Sequence, residues 1–348
     1  MSGRRSSRFL AVGLAAALLV AACGSSDDAA GNDDAKGTGA AEAFPVTLEH
    51  KYGSTTVEAE PERIVVVGLT EQDALLALGV VPVATTEWFG EHAGAIWPWA
   101  ADEMDALGAE PPALLGDATA VNFEKVAAQD PDLILAVYSG LTDDDYEKLS
   151  QIAPTVAQPE EYVDFGVPWD EATRTVGAAI GKTAEAEALV EAVEGQVAAV
   201  AAAHLEFAGA TSVMATPYEG TYVYGPEDAR GRFLTALGFV LPDGLAEVTG
   251  EEFGGNLSAE RIDLVDVDAL IWLDVPVGER ESGGEVYNNL RVHREAREVY
   301  LDSFGSVLGG ATSFITVLSL PFLLEHLVPM LVTAIDGDPA TVVPEAVS

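Results

Sequence analysis

The sequence has 348 residues and a formal net charge of −40 at pH 7, from 57 acidic and 17 basic residues. So acidic a chain is not expected to bind nucleic acid or to adhere electrostatically to anionic lipid. Its single cysteine, Cys23, excludes an intrachain disulfide and leaves no other thiol for zinc or for nucleophilic catalysis.

The first 22 residues have the features of a signal peptide. Arginines at positions 4, 5 and 8 precede an uncharged run, 9–22, that is too short to span a bilayer permanently. The small residues before Cys23 look like a bacterial lipobox, which predicts cleavage at that bond and a lipid on Cys23. An ordinary secretory signal followed by a chance cysteine is the alternative.

Residues 23–43 are predicted to form a flexible, lipidated stalk. They are rich in Gly, Ser, Asp, Asn and Ala and contain almost nothing to bury. The sequence therefore predicts a folded body that its lipid holds at the extracytoplasmic face of the cell membrane.

The folded body begins with the pattern of a strand, a helix and a second strand. Residues 64–67 are a β-branched run that predicts a buried strand. Thr70 and Asp73 predict a capping box at the start of a helix, and residues 80–84 return as a strand. A unit of this kind indicates a parallel sheet.

The same alternation continues along the next 80 or so residues. Helices are predicted at 123–129 and 142–153, each followed by a strand, at 133–138 and 155–157. We therefore assign residues 44–168 to an N-terminal α/β lobe.

A helical region at 169–207 is predicted to link this lobe to a second one. Residues 183–204 contain no proline and are expected to form one continuous helix about 33 Å long. Strands at 210–216 and 221–224 then begin a C-terminal α/β lobe, which we assign to residues 208–348.

The apolar segment 313–335 is the one stretch of this body that needs to be tested as a membrane span. Pro321, Glu325, His326 and Pro329 interrupt it. We therefore expect the end of a buried strand followed by a core helix.

A series of short phrases carries a family resemblance along the whole body. They lie at 62–67, 73–80, 123–127, 131–135, 146–149, 152–156, 181–182, 257–260, 268–271 and 318–321. In order and spacing they resemble the substrate-binding lipoproteins of iron-siderophore ABC importers, the ferrichrome and ferrioxamine binder group, over residues 63–336.

The resemblance implies the α/β fold of class III periplasmic binding proteins, with two lobes of mainly parallel sheet joined by one long rigid helix. It also implies a monomer without catalysis or cofactor, which holds a ferric siderophore in the cleft between its lobes. The partner implied is an ABC permease, which would bind one carboxylate on each lobe. The candidate carboxylates are Glu91 and Glu227.

The candidate ligand-binding side chains are mostly aromatic, because a large and partly apolar chelate needs flat walls and a few donors. Open α/β sheets bind ligands in the loops beyond their strand ends. The candidates in such positions are Trp88, Trp97, Tyr138, Tyr222, Tyr224, Arg230, Trp272 and Phe314. The alternative is that several belong to the core, and that Trp97 forms a surface ledge with Trp99.

The positions of the lysine and arginine residues favour a hydroxamate over a catecholate siderophore. Between residues 61 and 168 the only basic residues are Arg63, Lys125 and Lys148, so the first lobe lacks the arginine cluster that a highly anionic tris-catecholate needs. Arg230 or a neighbouring arginine would donate to the chelate oxygens of a neutral or weakly charged ligand.

Three other readings stay open. The five histidines lack the close spacing of a metal site, which disfavours a directly bound metal but leaves a distributed site possible. A cobalamin or haem binder would have the same lobes and differ only in the cleft side chains. A secreted enzyme using scattered acids, or an adhesion domain, is the alternative of another class.

Overall fold

The computed structural model describes residues 44–276 and 284–346, which belong to one compact unit. The predicted signal peptide, Cys23 and the stalk lie outside the described residues. Within the described ranges, no helix is long and apolar enough to cross a membrane.

The first lobe is built on a five-stranded sheet whose strands are all parallel. Its strands are β3 (Ile64–Val66), β4 (Ala84–Glu87), β5 (Ala113–Asp117), β6 (Leu133–Ala136) and β7 (Thr155–Ala157), in the order β5-β4-β3-β6-β7. Before them, β1 (Val46–His50) and β2 (Gly53–Val57) form an antiparallel hairpin. The helices are α1 (Glu71–Ala77), α2 (Ala101–Leu107), α3 (Phe123–Ala128) and α4 (Asp143–Ser150).

The strand order creates a crevice at the carboxyl end of β3. Chain order runs in one direction from β3 to β5 and in the other from β3 to β7, so the loops after β3 and β6 leave the sheet on opposite sides. The predicted parallel architecture is thus confirmed.

The central strands β3 and β6 are buried on both faces of this sheet, which explains why they are uninterrupted apolar runs. Val66 and Leu135 lie in one core cluster, with residues of α1, and Val65 and Ile134 in another, with residues of α3 and α4.

Two helices, α5 (Trp169–Ala179) and α6 (Thr183–Ala203), connect the lobes. The 21 residues of α6 make a continuous rod about 32 Å long, as the sequence predicts. Gly177 lets the two helices approach closely, because a Cβ there would lie 2.3 Å from the Cβ of Ala186. The connection is therefore a packed helix pair.

The second lobe has a mixed five-stranded sheet in the order β10-β9-β8-β11-β12. Its strands are β8 (Ser212–Thr216), β9 (Thr221–Tyr224), β10 (Gly254–Leu257), β11 (Ala269–Trp272) and β12 (Glu298–Tyr300). Its helices are α7 (Ala229–Ala236), α8 (Leu245–Thr249), α9 (Gly284–Asn288), α10 (Arg291–Arg294), α11 (Val307–Ser313) and α12 (Ser319–Ile335). β9 runs antiparallel to both neighbours, and to β8 because the link at 217–220 is too short for a crossover.

Two local predictions are wrong. The segment 314–318 is a loop between two helices, because Thr316 and Ser319 exchange side-chain bonds with each other's backbone N–H and so cap α12. The Thr70 side chain does not cap α1 in the described structure, and Asp73 instead bonds to Trp99 and Thr316. The bonds of Asp73 to Trp99 and Thr316 thus replace the predicted capping bonds at the start of α1.

Candidate ligand cleft

The two lobes meet beside the carboxyl ends of the first sheet. Arg232 of α7 donates to the carbonyl oxygen of Gly166, in the last loop of the first lobe. Tyr138, which follows β6, lies close enough to Asp228 and Arg230 for their charges to affect its pKa. The loops beyond β6 and the start of α7 therefore face each other across the boundary between the lobes.

Arg230 is the best-defined polar group of this region. Its Nη1 donates to both carboxylate oxygens of Asp228, at 3.1 and 3.0 Å, and its guanidinium carbon lies 4.1 Å from the ring centre of Tyr224. Burial acts to lower the pKa of Arg230, but the charges of Asp228, Tyr224 and Tyr138 and the hydrogen bond to Asp228 together raise it, so the group stays charged. Its buried Nε has no hydrogen-bond partner among the described residues.

Tyr138 is held in place through its backbone and its ring. Its N–H donates to Oε1 of Glu71 at 3.0 Å, and its ring meets that of Phe165 edge-on, with centres 5.9 Å apart. Burial raises the pKa of Tyr138, and the nearby Asp228 adds to this, so the hydroxyl is a neutral hydrogen-bond group.

Glu71 organises the loops at the crevice, a role that the sequence did not reveal. Its buried carboxylate accepts from the N–H groups of Thr70, Val137 and Tyr138, which joins the loop after β3 to the loop after β6. Burial raises the pKa of Glu71 and these backbone bonds oppose the rise. An acidic residue in the first turn of the predicted helix was the available signal.

Exposed aromatic rings flank the boundary on both lobes. Trp88 is 55% exposed after β4 and stacks near Phe165, with ring centres 6.3 Å apart. Tyr218 is 60% exposed in the β8–β9 turn, and its ring meets that of Tyr222 at 6.4 Å. Tyr222 in turn meets Tyr224 at 5.4 Å. Phe165 and Tyr218 were not predicted, although the turn between two predicted strands could have indicated Tyr218.

Trp97 and Phe314 do not lie on the cleft surface, contrary to prediction. They are 3% and 4% exposed, and their rings lie 5.8 Å apart. Trp97 also stacks on Trp99 at 4.8 Å and fits against Gly310 of α11, where a Cβ would clash with it. These rings form the contact between the lobes, which also excludes the surface ledge considered for Trp97 and Trp99.

Trp272 is also a core residue. Its Nε1 donates to the hydroxyl of Tyr287 at 2.7 Å, and it packs in a cluster with Val213 and Val223. Tyr224 belongs to the cluster on the other face of the sheet. The structure therefore does not bring Trp272 to Arg230 and Tyr224.

The two candidate docking carboxylates have different surroundings. Glu91 is exposed in the loop after β4, where its backbone has a φ of 54°. Glu227 pairs with Arg232 at 3.1 Å, so it would have to leave this partner to meet a permease arginine. Their docking role stays a prediction.

A cavity of about 120 Å³ lies at the carboxyl edge of the first sheet. Polar groups of Thr86, Asp117, Asn122 and Ser139 line it together with the ring of Phe165. Among residues 44–276 and 284–346, no group of three or more His, Cys, Asp or Glu side chains is placed to hold a metal ion.

Comparison with protein families gives a match over most of the body. Residues 64–298 match the family described as periplasmic binding protein. The chain is 30% identical over 152 residues to the Fe(3+) dicitrate-binding periplasmic protein FecB of Escherichia coli, which is 43% of this chain and 47% of FecB. It is 28% identical over 177 residues to the Fe(3+)-citrate-binding protein YfmC of Bacillus subtilis, or 51% of each chain. The matched region thus spans about half the length of these curated relatives.

Solved structures match over more of the chain. A periplasmic solute binding protein from Mycobacterium smegmatis superposes with a TM-score of 0.71 and 34% identity, over 83% of this chain and 98% of that one. PiaA from Streptococcus pneumoniae, solved in complex with ferrichrome, superposes with a TM-score of 0.75 and 24% identity, over 84% of this chain and 99% of PiaA. The second similarity is one of fold alone.

Proposed function

The chain belongs to the periplasmic binding protein family, and we propose that it captures a ferric siderophore outside the cytoplasm and delivers it to an ABC import permease. A siderophore of hydroxamate type is favoured. The ligand would lie between the exposed aromatic rings of the two lobes, above the buried contact made by Trp97 and Phe314.

The observation that carries the proposal is the free donor of Arg230. Nη1 is occupied by Asp228, whereas the buried Nε has no partner among the described residues. A buried donor left without a partner costs about 1–3 kcal/mol, and a charged one more, so an oxygen-rich ligand would recover this energy on binding. Iron-bound hydroxamate oxygens are acceptors of this kind.

Charge pairing favours a neutral chelate over a highly anionic one. The two arginines of α7, Arg230 and Arg232, are already paired with Asp228 and Glu227. To bond to an arginine of α7, a ferric tris-catecholate would have to displace one of these carboxylates. A neutral ferric hydroxamate needs only the Nε donor and the aromatic walls.

The walls would supply the apolar part of the binding energy. Trp88 and Phe165 lie on the first lobe and Tyr218 and Tyr222 on the second, and Trp88 and Tyr218 are largely exposed. Covering such rings contributes about 25 cal/mol per Å² of apolar surface removed from water. A cobalamin or haem ligand would use the same walls and is the second candidate within the family. Since the family consists of substrate-binding proteins, the enzyme and adhesion alternatives lose their support.

Tryptophan fluorescence of the purified chain in detergent tests the proposal, because Trp88 is exposed beside the cleft. We would titrate a ferric hydroxamate, a ferric catecholate, ferric citrate, cobalamin and haem. Saturable quenching by the hydroxamate, weakened by Arg230→Lys, would support the assignment. Saturation only by another of these ligands would overturn the siderophore type, and saturation by none would overturn the binding function.

The anchor and the permease contact have tests of their own. We propose that Cys23 carries the lipid, so that an alkyne fatty acid fed to expressing cells labels the chain and does not label Cys23→Ser. We propose that Glu91 and Glu227 meet the permease, so that Glu91→Gln slows uptake while leaving ligand affinity unchanged. Unchanged uptake would remove Glu91 from the docking surface.

A further inference from the structure

We infer that Asp73 is a positioning residue that ties the two lobes together beneath the cleft. It is the third residue of α1 in the first lobe and is 1% exposed. Its Oδ2 accepts from the hydroxyl of Thr316 at 2.6 Å and from Nε1 of Trp99 at 2.8 Å. Thr316 lies 243 residues further along the chain, between α11 and α12 of the second lobe.

Each end of this tether is fixed to a rigid element. The Thr316 oxygen also accepts from the N–H groups of Leu318 and Ser319, at 3.3 and 3.0 Å, and so belongs to the cap of α12. Asp73 lies in the first turn of α1. The carboxylate thus lies between the N-termini of two helices from different lobes, whose dipoles both favour a negative charge.

The tether lies among apolar side chains in the contact between the lobes. Trp99 stacks on Trp97 and faces Phe322 of α12, with ring centres 6.3 Å apart. Phe89 of the first lobe stacks on Phe314 at 4.9 Å. Apolar surfaces tolerate small sliding motions, whereas hydrogen bonds weaken steeply with angle and distance. We therefore assign to Asp73 the fixing of the angle between the lobes.

This angle decides how far the cleft walls stand apart. Tyr138 is attached to the first sheet, whereas Tyr224 and Arg230 belong to the second lobe. If the tether is lost, the free protein should sample wider clefts, and only a fraction of molecules would be ready to bind. The apparent dissociation constant rises in inverse proportion to that fraction, so a ready fraction of about one fifth would weaken binding about fivefold.

Two spin labels measure the angle without any ligand. Glu147 in α4 and Glu260 in the second lobe are exposed, and Cys23 is the only native cysteine, so Glu147→Cys and Glu260→Cys in a Cys23→Ser chain give one label on each lobe. We expect Asp73→Leu and Thr316→Val to broaden the distance distribution. Asp73→Asn keeps an acceptor oxygen and should preserve the narrow distribution.

Asp132, which is exposed, provides a control that accepts the same number of bonds. Its carboxylate also accepts two bonds, from the N–H groups of Glu62 and Arg63 at 2.8 Å each, but entirely within the first lobe. Asp132→Leu should lower the midpoint of urea unfolding without broadening the distribution. This comparison separates a positioning role from a general loss of stability.

The outcomes are distinguishable from those of the proposed function. A folded Thr316→Val chain with an unchanged distribution would overturn the tether, even if Asp73→Leu failed to fold. Thr316→Ser, which retains the hydroxyl, should restore the narrow distribution. The predicted loss of ferric hydroxamate affinity rests on the proposed function, whereas the distance measurement does not. Broadening without an affinity change would leave the tether standing and refute its effect on binding.

Discussion

The buried carboxylate of Asp73 predicts a specific dependence of stability on pH. Burial raises the pKa of Asp73 from 3.8 to about 6, while its bonds to Thr316 and Trp99 oppose the rise and the charge of Glu103 adds to it. The folded state therefore holds a proton between about pH 4 and 6 that the unfolded chain has lost. Stability must fall as the pH rises through this window.

The size of this effect follows from the shift. A shift of two pKa units corresponds to about 3 kcal/mol of unfolding free energy. This is an upper value, because the dipoles of the two nearby helix N-termini favour the charged form of Asp73. Asp73→Asn removes the titrating proton and keeps an acceptor for Thr316 and Trp99. Between pH 4 and 7 the original chain should therefore lose up to about 3 kcal/mol of unfolding free energy relative to Asp73→Asn.

Urea unfolding of both chains at half-unit pH intervals measures this difference. Comparing the two chains cancels the contributions of other buried carboxylates, among them Glu71, whose pKa is also raised. A difference that stays constant between pH 4 and 7 would refute the reasoning. A difference that grows in favour of the original chain would show that the tether bonds and helix ends outweigh burial.

Three further predictions concern binding and packing. Arg230→Lys loses the planar stacking on Tyr224 and the Nε donor, so the dissociation constant of a ferric hydroxamate should rise about tenfold or more. A calorimetric titration measures this constant, and an unchanged value would remove Arg230 from the site. Trp88→Ala should weaken the same binding while changing the unfolding free energy by no more than about 0.5 kcal/mol, because this exposed ring supports little of the core; a large stability loss would contradict this. Gly177→Val should cost about 1–3 kcal/mol of unfolding free energy by forcing α5 away from Ala186, and an unchanged midpoint would show that the helix pair can separate freely.

Helix and strand positions were largely predictable because they depend on neighbours along the chain. The apolar runs of β3 and β6 and the uninterrupted α6 appear close to where the sequence places them. The antiparallel β9 also had a local signal, since four residues cannot form a crossover. The loop at 314–318 also had a local signal, the Thr316–Ser319 pair that caps α12. Its apolar residues, which pack against partners distant in sequence, indicated a buried strand instead.

The site was predictable only in part. Arg230, Tyr224 and Tyr138 are brought together at the boundary between the lobes, whereas Trp97 and Phe314 are buried within it. All five were chosen because they follow predicted strands or lie in loops. A loop position does not specify in which direction a side chain points. Burial of a ring depends on surfaces supplied by other segments.

The sequence by itself determined the elements, their parallel alternation in the first lobe and the chemical types available to the cleft. Only the tertiary structure decided which of those side chains meet at the boundary between the lobes, that Glu71 joins two loops and that Asp73 bonds to Thr316 instead of capping its own helix. The physical reason is range: periodicity and capping act between residues a few positions apart, whereas a cleft between lobes is made of contacts between residues separated by up to 243 positions.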